Sequence, residues 1–273
     1  MRISISEAWR RVRRVLEDSD LVLEIADARE PLETRNVRIE QLASKLGKPI
    51  ILVLNKCDLV PFEILEKWKK FLEREIPTVF LSAKYRLGTR KLILYIKKYA
   101  PRLPVRVAVV GYPNVGKSTI INYLKGKHVA QTSPVPGWTK GEQIVKAKSW
   151  LYVIDTPGVI PVEEVKDEAL LIIKGAIDPG RLQDPVYPAV KLIERILKYN
   201  PTAFLERYGI EDRDPEKIIE NVAKKRGLLL KGAKPNIEEA ARAIIKDWIE
   251  GRITYYREPE EYYVNVEKSE TIS

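Results

Sequence analysis

The chain has 273 residues, 45% hydrophobic and 32% charged, with 48 Lys and Arg against 38 Asp and Glu and a formal net charge of +10. That is enough apolar content for one large α/β domain and a smaller companion. There is no run of 18 apolar residues, no apolar stretch follows Arg10, Arg11, Arg13 and Arg14, and Cys57 and His128 are the only residues of their types. Spanning helices, an intramolecular disulfide and a Cys/His metal cluster are thereby excluded and a secretion signal is not expected, which predicts a cytoplasmic chain without a membrane partner.

The charge is unevenly divided. Residues 1–164 carry 29 Lys and Arg against 18 Asp and Glu, whereas residues 165–273 carry 19 against 20. No acidic residue occurs between Glu75 and Glu142, a window that holds Lys84, Arg86, Arg90, Lys91, Lys97, Lys98, Arg102 and Arg106 ahead of any phosphate-binding motif. A polyanionic partner accounts for such an excess more simply than a solvated basic face does.

In chain order, residues 6–16 read as an amphipathic helix, and 21–26 as a strand running into Asp27, Ala28, Arg29, Glu30 and Pro31. A helix over 33–46 is stopped by Gly47. The strand 49–54 delivers Asn55, Lys56, Cys57 and Asp58 at its C-terminal end, where open α/β sheets place ligand-binding groups. NKCD is a base-specificity element: the Asp58 carboxylate can accept from guanine N1–H and its 2-amino group, whereas adenine lacks that amino group. After a helix (61–74) and a strand (78–81) come Ser82, Ala83 and Lys84, with the Ala83 N–H expected on guanine O6 and the Lys56 stem over one base face. A basic helix (88–99) and a proline hinge (101–104) follow.

The strand 105–110, a glycine-bounded loop and a helix (117–126) then spell G-x-x-x-x-G-K-S from Gly111 to Ser118. In this strand–loop–helix setting it is a phosphate loop. The backbone N–H groups around Asn114, Val115, Gly116 and Thr119 face the phosphates, Lys117 reaches the β- and γ-phosphates, and the Ser118 hydroxyl takes one position on Mg²⁺. Thr139, in PGWTK, is the candidate switch threonine that completes Mg²⁺ coordination. Strands at 142–147 and 150–154 lead to Asp155-Thr156-Pro157-Gly158, where Asp155 would hold Mg²⁺ through water and the Gly158 N–H would bond the γ-phosphate. The rest is helical, at 167–177, 185–199, 202–208, 215–226 and 237–250, with Asp214 and Asn236 as caps and a basic run from Lys217 to Lys234. From Glu258 the tail is acidic, aromatic and expected to pack poorly.

NKCD and SAK thus precede the phosphate loop, the reverse of the usual GTPase order. This order, with DAREP (27–31), GYPNVGKS, PGWTK and DTPG, resembles the circularly permuted GTPases of the YlqF/RbgA type, and AARAIIKDWIEGRI (240–253) is similar to the C-terminal helical domain of that family. The resemblance implies an α/β fold: a doubly wound P-loop GTPase sheet with permuted motifs at 1–164, a smaller all-α domain at 165–257 that binds RNA, and a tail at 258–273. It further implies a monomeric GTP-hydrolysing factor that binds rRNA or the large ribosomal subunit during its maturation. Val159 stands where Ras-like enzymes carry a water-orienting glutamine. The resembled family shares that substitution, and many such enzymes recruit K⁺ through the phosphate-loop asparagine, here Asn114. Lys117, Asn114, Thr139 and Gly158 are therefore the catalytic candidates. A GTPase acting on tRNA or a protein, and a stand-alone metabolic NTPase, remain open on the residues alone.

Overall fold

The computed structural model describes residues 5–126, 143–155, 168–175 and 179–260. His128, Thr139, Gly158 and Val159 lie outside them, as does the DTPG-to-helix junction. Two compact units are present, one of residues 1–164 together with 258–273, the other of 165–257.

The first unit runs α1 (Ile5–Asp18), β1 (Leu21–Asp27), α2 (Pro31–Thr34), α3 (Val37–Lys45), β2 (Ile50–Asn55), α4 (Phe62–Leu72), β3 (Thr78–Phe80), α5 (Thr89–Tyr99), β4 (Val105–Gly111), α6 (Lys117–Lys125), β5 (Gln143–Lys148) and β6 (Leu151–Asp155). The six strands form one sheet in the order β3-β2-β1-β4-β6-β5, with only β5 antiparallel. Every residue of β1, LVLEIAD, is buried, as a central strand covered by helices on both faces requires. At the opposite extreme β5 is an edge strand with Lys146 and Lys148 exposed, the usual protection against edge-to-edge pairing. The strand order reverses between β1 and β4, so the DAREP, NKCD, SAK and phosphate-loop segments all leave the same C-terminal rim, around the switch point where such sheets bind ligands.

The expected single helix over 33–46 is two. Arg35 is extended (φ −73°, ψ 145°), and Asn36 opens α3 by accepting from the Ile39 N–H at 3.1 Å. Side chains pull the chain back onto β1 here: Thr34 Oγ1 accepts from the Asp27 N–H at 2.9 Å and donates to the Glu30 carbonyl at 2.6 Å. The Thr34 hydroxyl thus ties the end of α2 to the end of β1, and the chain turns extended at Arg35 before α3 begins.

The second unit comprises α7 (Glu168–Ile173), α8 (Val186–Tyr199), α9 (Ala203–Tyr208), α10 (Pro215–Lys225) and α11 (Ile237–Ile249). Asp214 and Asn236 cap α10 and α11 as their sequence positions predict, accepting from Glu216 N–H at 2.9 Å and Glu239 N–H at 3.2 Å. Its core contains Ile193, Ile219, Ile244 and Trp248, and the Trp248 ring stacks on Tyr255 at 4.8 Å between centroids. Beyond it, Pro259 is buried and Glu258 pairs with Lys67 of α4, so the described start of the tail is packed, contrary to expectation.

Part of the basic window is neutralised internally. The Asp20 carboxylate accepts from Arg106 Nε at 3.0 Å and from Arg102 Nη2 at 2.9 Å. Burial raises its pKa, but the two guanidiniums outweigh burial and hold it at about 2. Arg102 and Arg106 are therefore paired within the fold, although Arg102 stays exposed, and the other exposed cations of the window are Lys84, Arg86, Arg90, Lys91, Lys97 and Lys98.

Glu24 is the opposite case. It lies in the middle of β1, wholly buried, with Oε1 accepting from the Asn36 N–H and Oε2 without a partner among the described residues. Burial first, then the nearby Glu40 carboxylate, push its pKa well above the usual range. A carboxyl whose folded pKa is raised contributes stability below its ordinary value, near 4.5, and loses that contribution as pH rises through the folded value. Glu24→Gln keeps the acceptor for Asn36 and removes the ionisation. Its melting temperature should exceed that of the parent by a few degrees at pH 8, with the gap closing toward pH 4; thermal unfolding across that range checks this.

Candidate functional site

The site is organised by Asn55, the last residue of β2. Its Nδ2 donates to the Val115 carbonyl in the phosphate loop at 2.8 Å, and its Oδ1 accepts from the Ala83 N–H at 3.0 Å. One side-chain amide thus joins three loops that lie 28 and 60 residues apart in sequence. The expected donation from Ala83 to a base oxygen is engaged here by Asn55, so a ligand atom at that place would share or take over the N–H.

The phosphate loop is shaped by two glycines for which no other residue fits. Gly111 has φ 147°, and a Cβ there would lie 2.4 Å from the Ile25 carbonyl oxygen. Gly116 has φ 99°, and its Cβ would lie 2.1 Å from Asn55 Nδ2. Asn114 is exposed and left-handed at φ 59°, an unfavoured conformation that asparagine tolerates better than most residues. Val115 is buried, which sets the loop against the sheet. Gly116 opens α6, where Lys117 is part-buried and Ser118 and Thr119 stand exposed in the first turn. The Lys117 ammonium donates to the Tyr112 carbonyl at 2.6 Å, closing the loop upon itself. Tyr112 is fixed in turn by Asn36, whose Nδ2 donates to its hydroxyl at 3.3 Å.

Around the base-specificity element the structure holds more than the motif foretells. Lys56 adopts a left-handed backbone (φ 61°), and its ammonium lies 2.9 Å from Asp27 Oδ2. Asp27 also accepts from Arg29 Nε at 3.0 Å and Nη2 at 2.8 Å. Asp27 and Arg29 are both fully buried at the end of β1. Burial pushes the Asp27 carboxyl up, but Arg29 and Lys56 outweigh it and keep it well below the usual carboxylate range. The same burial lowers the Lys56 pKa, with Asp27 opposing it. The Lys56 head is thus held by the DAREP carboxylate, a role that the motif spacing alone does not announce. Asp58 is exposed in the short 3₁₀ turn Cys57–Leu59, and Ser82 is buried with its hydroxyl accepting from the Tyr85 N–H at 3.3 Å. Lys84 is exposed, 5.0 Å above the Tyr85 ring. Asp155 ends β6 in register with Val109 of β4, which brings the start of DTPG beside the strand that feeds the phosphate loop.

Two family models match in tandem: the elongation factor Tu GTP-binding domain over residues 9–102, and the 50S ribosome-binding GTPase over residues 106–221. The GDP-bound structure of YlqF superposes with a TM-score of 0.65 and 28% identity, covering 92% of this chain and 100% of that one. GNP-bound YlqF from T. maritima gives 0.64 and 28%, covering 92% and 97%. The chain belongs to the circularly permuted GTPases of the YlqF/RbgA type. Among curated relatives, an uncharacterised GTP-binding protein of Methanocaldococcus jannaschii is 40% identical over 250 residues, 90% of this chain and 66% of its own length. Nucleolar GTP-binding protein 2 of Saccharomyces cerevisiae is 35% identical over 263 residues, 93% of this chain and 53% of its own. The chain spans about two thirds of the length of the Methanocaldococcus jannaschii protein and about half that of the Saccharomyces cerevisiae one. Among the described residues no helix is long and apolar enough to cross a membrane.

In this permuted arrangement Asp27 is the counter-charge for two cations at once. Asp27→Asn removes the carboxylate that both Arg29 and Lys56 face and should lower unfolding stability by about 3–5 kcal/mol, the range for breaking one partner of a buried ion pair. Adding Lys56→Met should restore part of that loss. Urea unfolding of the three variants measures both effects, and an Asp27→Asn protein as stable as its parent would show the triad to be idle.

Proposed function

We propose that this chain binds and hydrolyses GTP, and that its nucleotide state governs binding to RNA of the large ribosomal subunit. The observation that carries the nucleotide part is the Asn55 bridge, which ties the base-specificity loop, the SAK turn and the phosphate loop into one unit. A guanine nucleotide is the ligand whose base and phosphates address those loops together. Asp58 would read N1–H and the 2-amino group, the Lys56 stem would cover the base, and Lys117 with the N-terminus of α6 would hold the phosphates. The Ser118 hydroxyl, with Thr139 and Asp155, would hold Mg²⁺. That ion supplies neutralisation of the charge spread over the β- and γ-phosphate oxygens. Asn114, at the exposed left-handed corner of the loop, is the candidate for K⁺.

The ribosomal part rests on the match to the 50S ribosome-binding GTPase family and on the nucleolar name of the fungal relatives, with the exposed cations of α5 as physical support. A cytoplasmic monomer meeting a ribosomal particle suits this reading. Sedimentation with large subunits in the presence of a GTP analogue tests it. Co-migration that is lost with GDP is expected, and no co-migration with any nucleotide would leave a metabolic NTPase as the better account.

Two further outcomes are expected of the site. Asp58→Asn removes two charge-assisted bonds and should weaken GTP roughly 100-fold or more while admitting xanthosine triphosphate, whose C2 oxygen accepts from the new amide. Nucleotide competition measures this, and equal affinity of the parent protein for ATP and GTP would refute it. With Val159 in place of glutamine, intrinsic hydrolysis should be no faster than the about 10⁻⁴ to 10⁻³ s⁻¹ of unaided Ras. It should fall when Na⁺ replaces K⁺, and Asn114→Ala should erase that difference; identical rates in the two salts would remove K⁺ from the mechanism.

A further inference from the structure

We propose that Arg207, Arg226 and Arg252, gathered around the buried carboxylate of Asp247, form a site for the backbone phosphates of RNA on the helical unit; this rests on the RNA-binding reading above and places its contacts on these arginines and not on the lysines of the 217–234 run. Composition directs attention to the segment from Lys217 to Lys234. The structure shows two central lysines of that run already engaged. Lys224 lies 2.5 Å from Glu220 Oε1. Lys225 donates to the Tyr208 carbonyl at 2.8 Å and the Gly209 carbonyl at 2.6 Å, where it satisfies the C-terminal end of α9.

The arginines are placed differently. Asp247 on α11 has a side chain only 1% exposed, and four groups from α9, the end of α10, and the turn after α11 converge on it. Tyr208 donates its hydroxyl to Oδ2 at 2.8 Å, Arg207 Nε donates to Oδ2 at 3.0 Å, and Arg252 Nη1 donates to Oδ1 at 2.6 Å. Arg226 Nη1 stands at 3.8 Å, an ion-pair distance beyond hydrogen bonding. A carboxylate has about four acceptor positions, whereas three guanidiniums bring fifteen N–H donors, so most of the donors are left for something else. Their side chains are 36%, 38% and 42% exposed.

The local charge points the same way. Arg252 also pairs with Glu250, and with Lys225 counted the group has four cations against two carboxylates. Asp247 therefore fixes the guanidiniums without cancelling them. Holding an arginine before its ligand arrives reduces the rotamer entropy lost on binding, and a planar fork with spare N–H groups matches phosphate oxygens two at a time. Leu229 and Leu230, exposed in the turn that follows Arg226, add apolar surface beside the cations.

The test uses the full chain, deproteinised large-subunit rRNA as probe, and binding measured across a salt series. Each phosphate contact removed lowers the log–log salt slope by about 0.7 to 0.9. Arg226→Ala should lower it by one such step and Arg207→Ala with Arg226→Ala by about two, whereas Lys224→Ala should leave it unchanged. Arg226→Lys should retain the slope because the charge is kept. Arg226 makes no hydrogen bond to Asp247, so its alanine variant should keep the parent melting temperature and GDP affinity, and it carries the test if the double variant fails to fold. Parent binding with unaltered slopes in both arginine variants would overturn this site and leave the RNA-binding reading standing, as an acidic protein partner for the cluster would also require. Failure of the parent itself to bind the rRNA at any salt would overturn both.

Discussion

The candidate site depends on a single amide. In the sheet β1 lies between β2 and β4, so Asn55 reaches past the end of a whole strand to touch the phosphate loop. It does so with both ends of its side chain engaged by backbone groups, so that a shift of either loop breaks a buried hydrogen bond. The requirement is reciprocal. Gly116 has no Cβ because Asn55 Nδ2 occupies that space, and Asn55 can occupy it because residue 116 is glycine. Circular permutation changes which loop comes first in the chain and leaves this contact intact, since the contact belongs to the order of strands in space.

The charges beside that amide are harder to justify by stability alone. Replacing a buried ionic cluster with well-packed apolar residues is often neutral or favourable, so the Arg29–Asp27–Lys56 triad is not needed merely to hold the fold. What apolar residues cannot do is hold an ammonium at the mouth of the base loop with its stem in a fixed line. The triad anchors Lys56, which the left-handed backbone at that residue has already turned out of the strand. Registry within the sheet makes this possible: Asp27 is the partner of Asn55 across β1 and β2, so the residue before the lysine and the carboxylate that restrains it sit at the same level.

Much of this was legible in the chain because it depends on local pattern. Continuous apolar runs gave the parallel strands, Gly111 and Gly116 gave the phosphate loop, and Asp214 and Asn236 gave helix starts. The failures share one cause, which is pairing between residues far apart in sequence. Nothing near Arg102 and Arg106 indicates that Asp20 will bind both, more than 80 residues away. Nothing near Ala83 shows its N–H engaged by Asn55, and a helical pattern through 33–46 cannot reveal that Glu24, in β1, binds the Asn36 N–H. A signal for the base-site triad did exist: Asp and Arg two residues apart, at the end of an apolar strand that stops beside the NKCD strand, are unlike the composition of a buried rim unless they are paired with something.

The tail changes how the helical unit must be thought of. In sequence order that unit follows DTPG and precedes the tail. The chain returns to the first unit at Glu258, so residues 165–257 are an insertion joined at two points. The return is fixed on α4, where Lys67 pairs with Glu258, and α4 is the helix that directly follows the Asp58 turn, its Trp68 packing in the same apolar cluster as Cys57 and Phe80. One covalent connection thus follows the strand that ends in Asp155, and the other is held on the helix that follows the Asp58 turn.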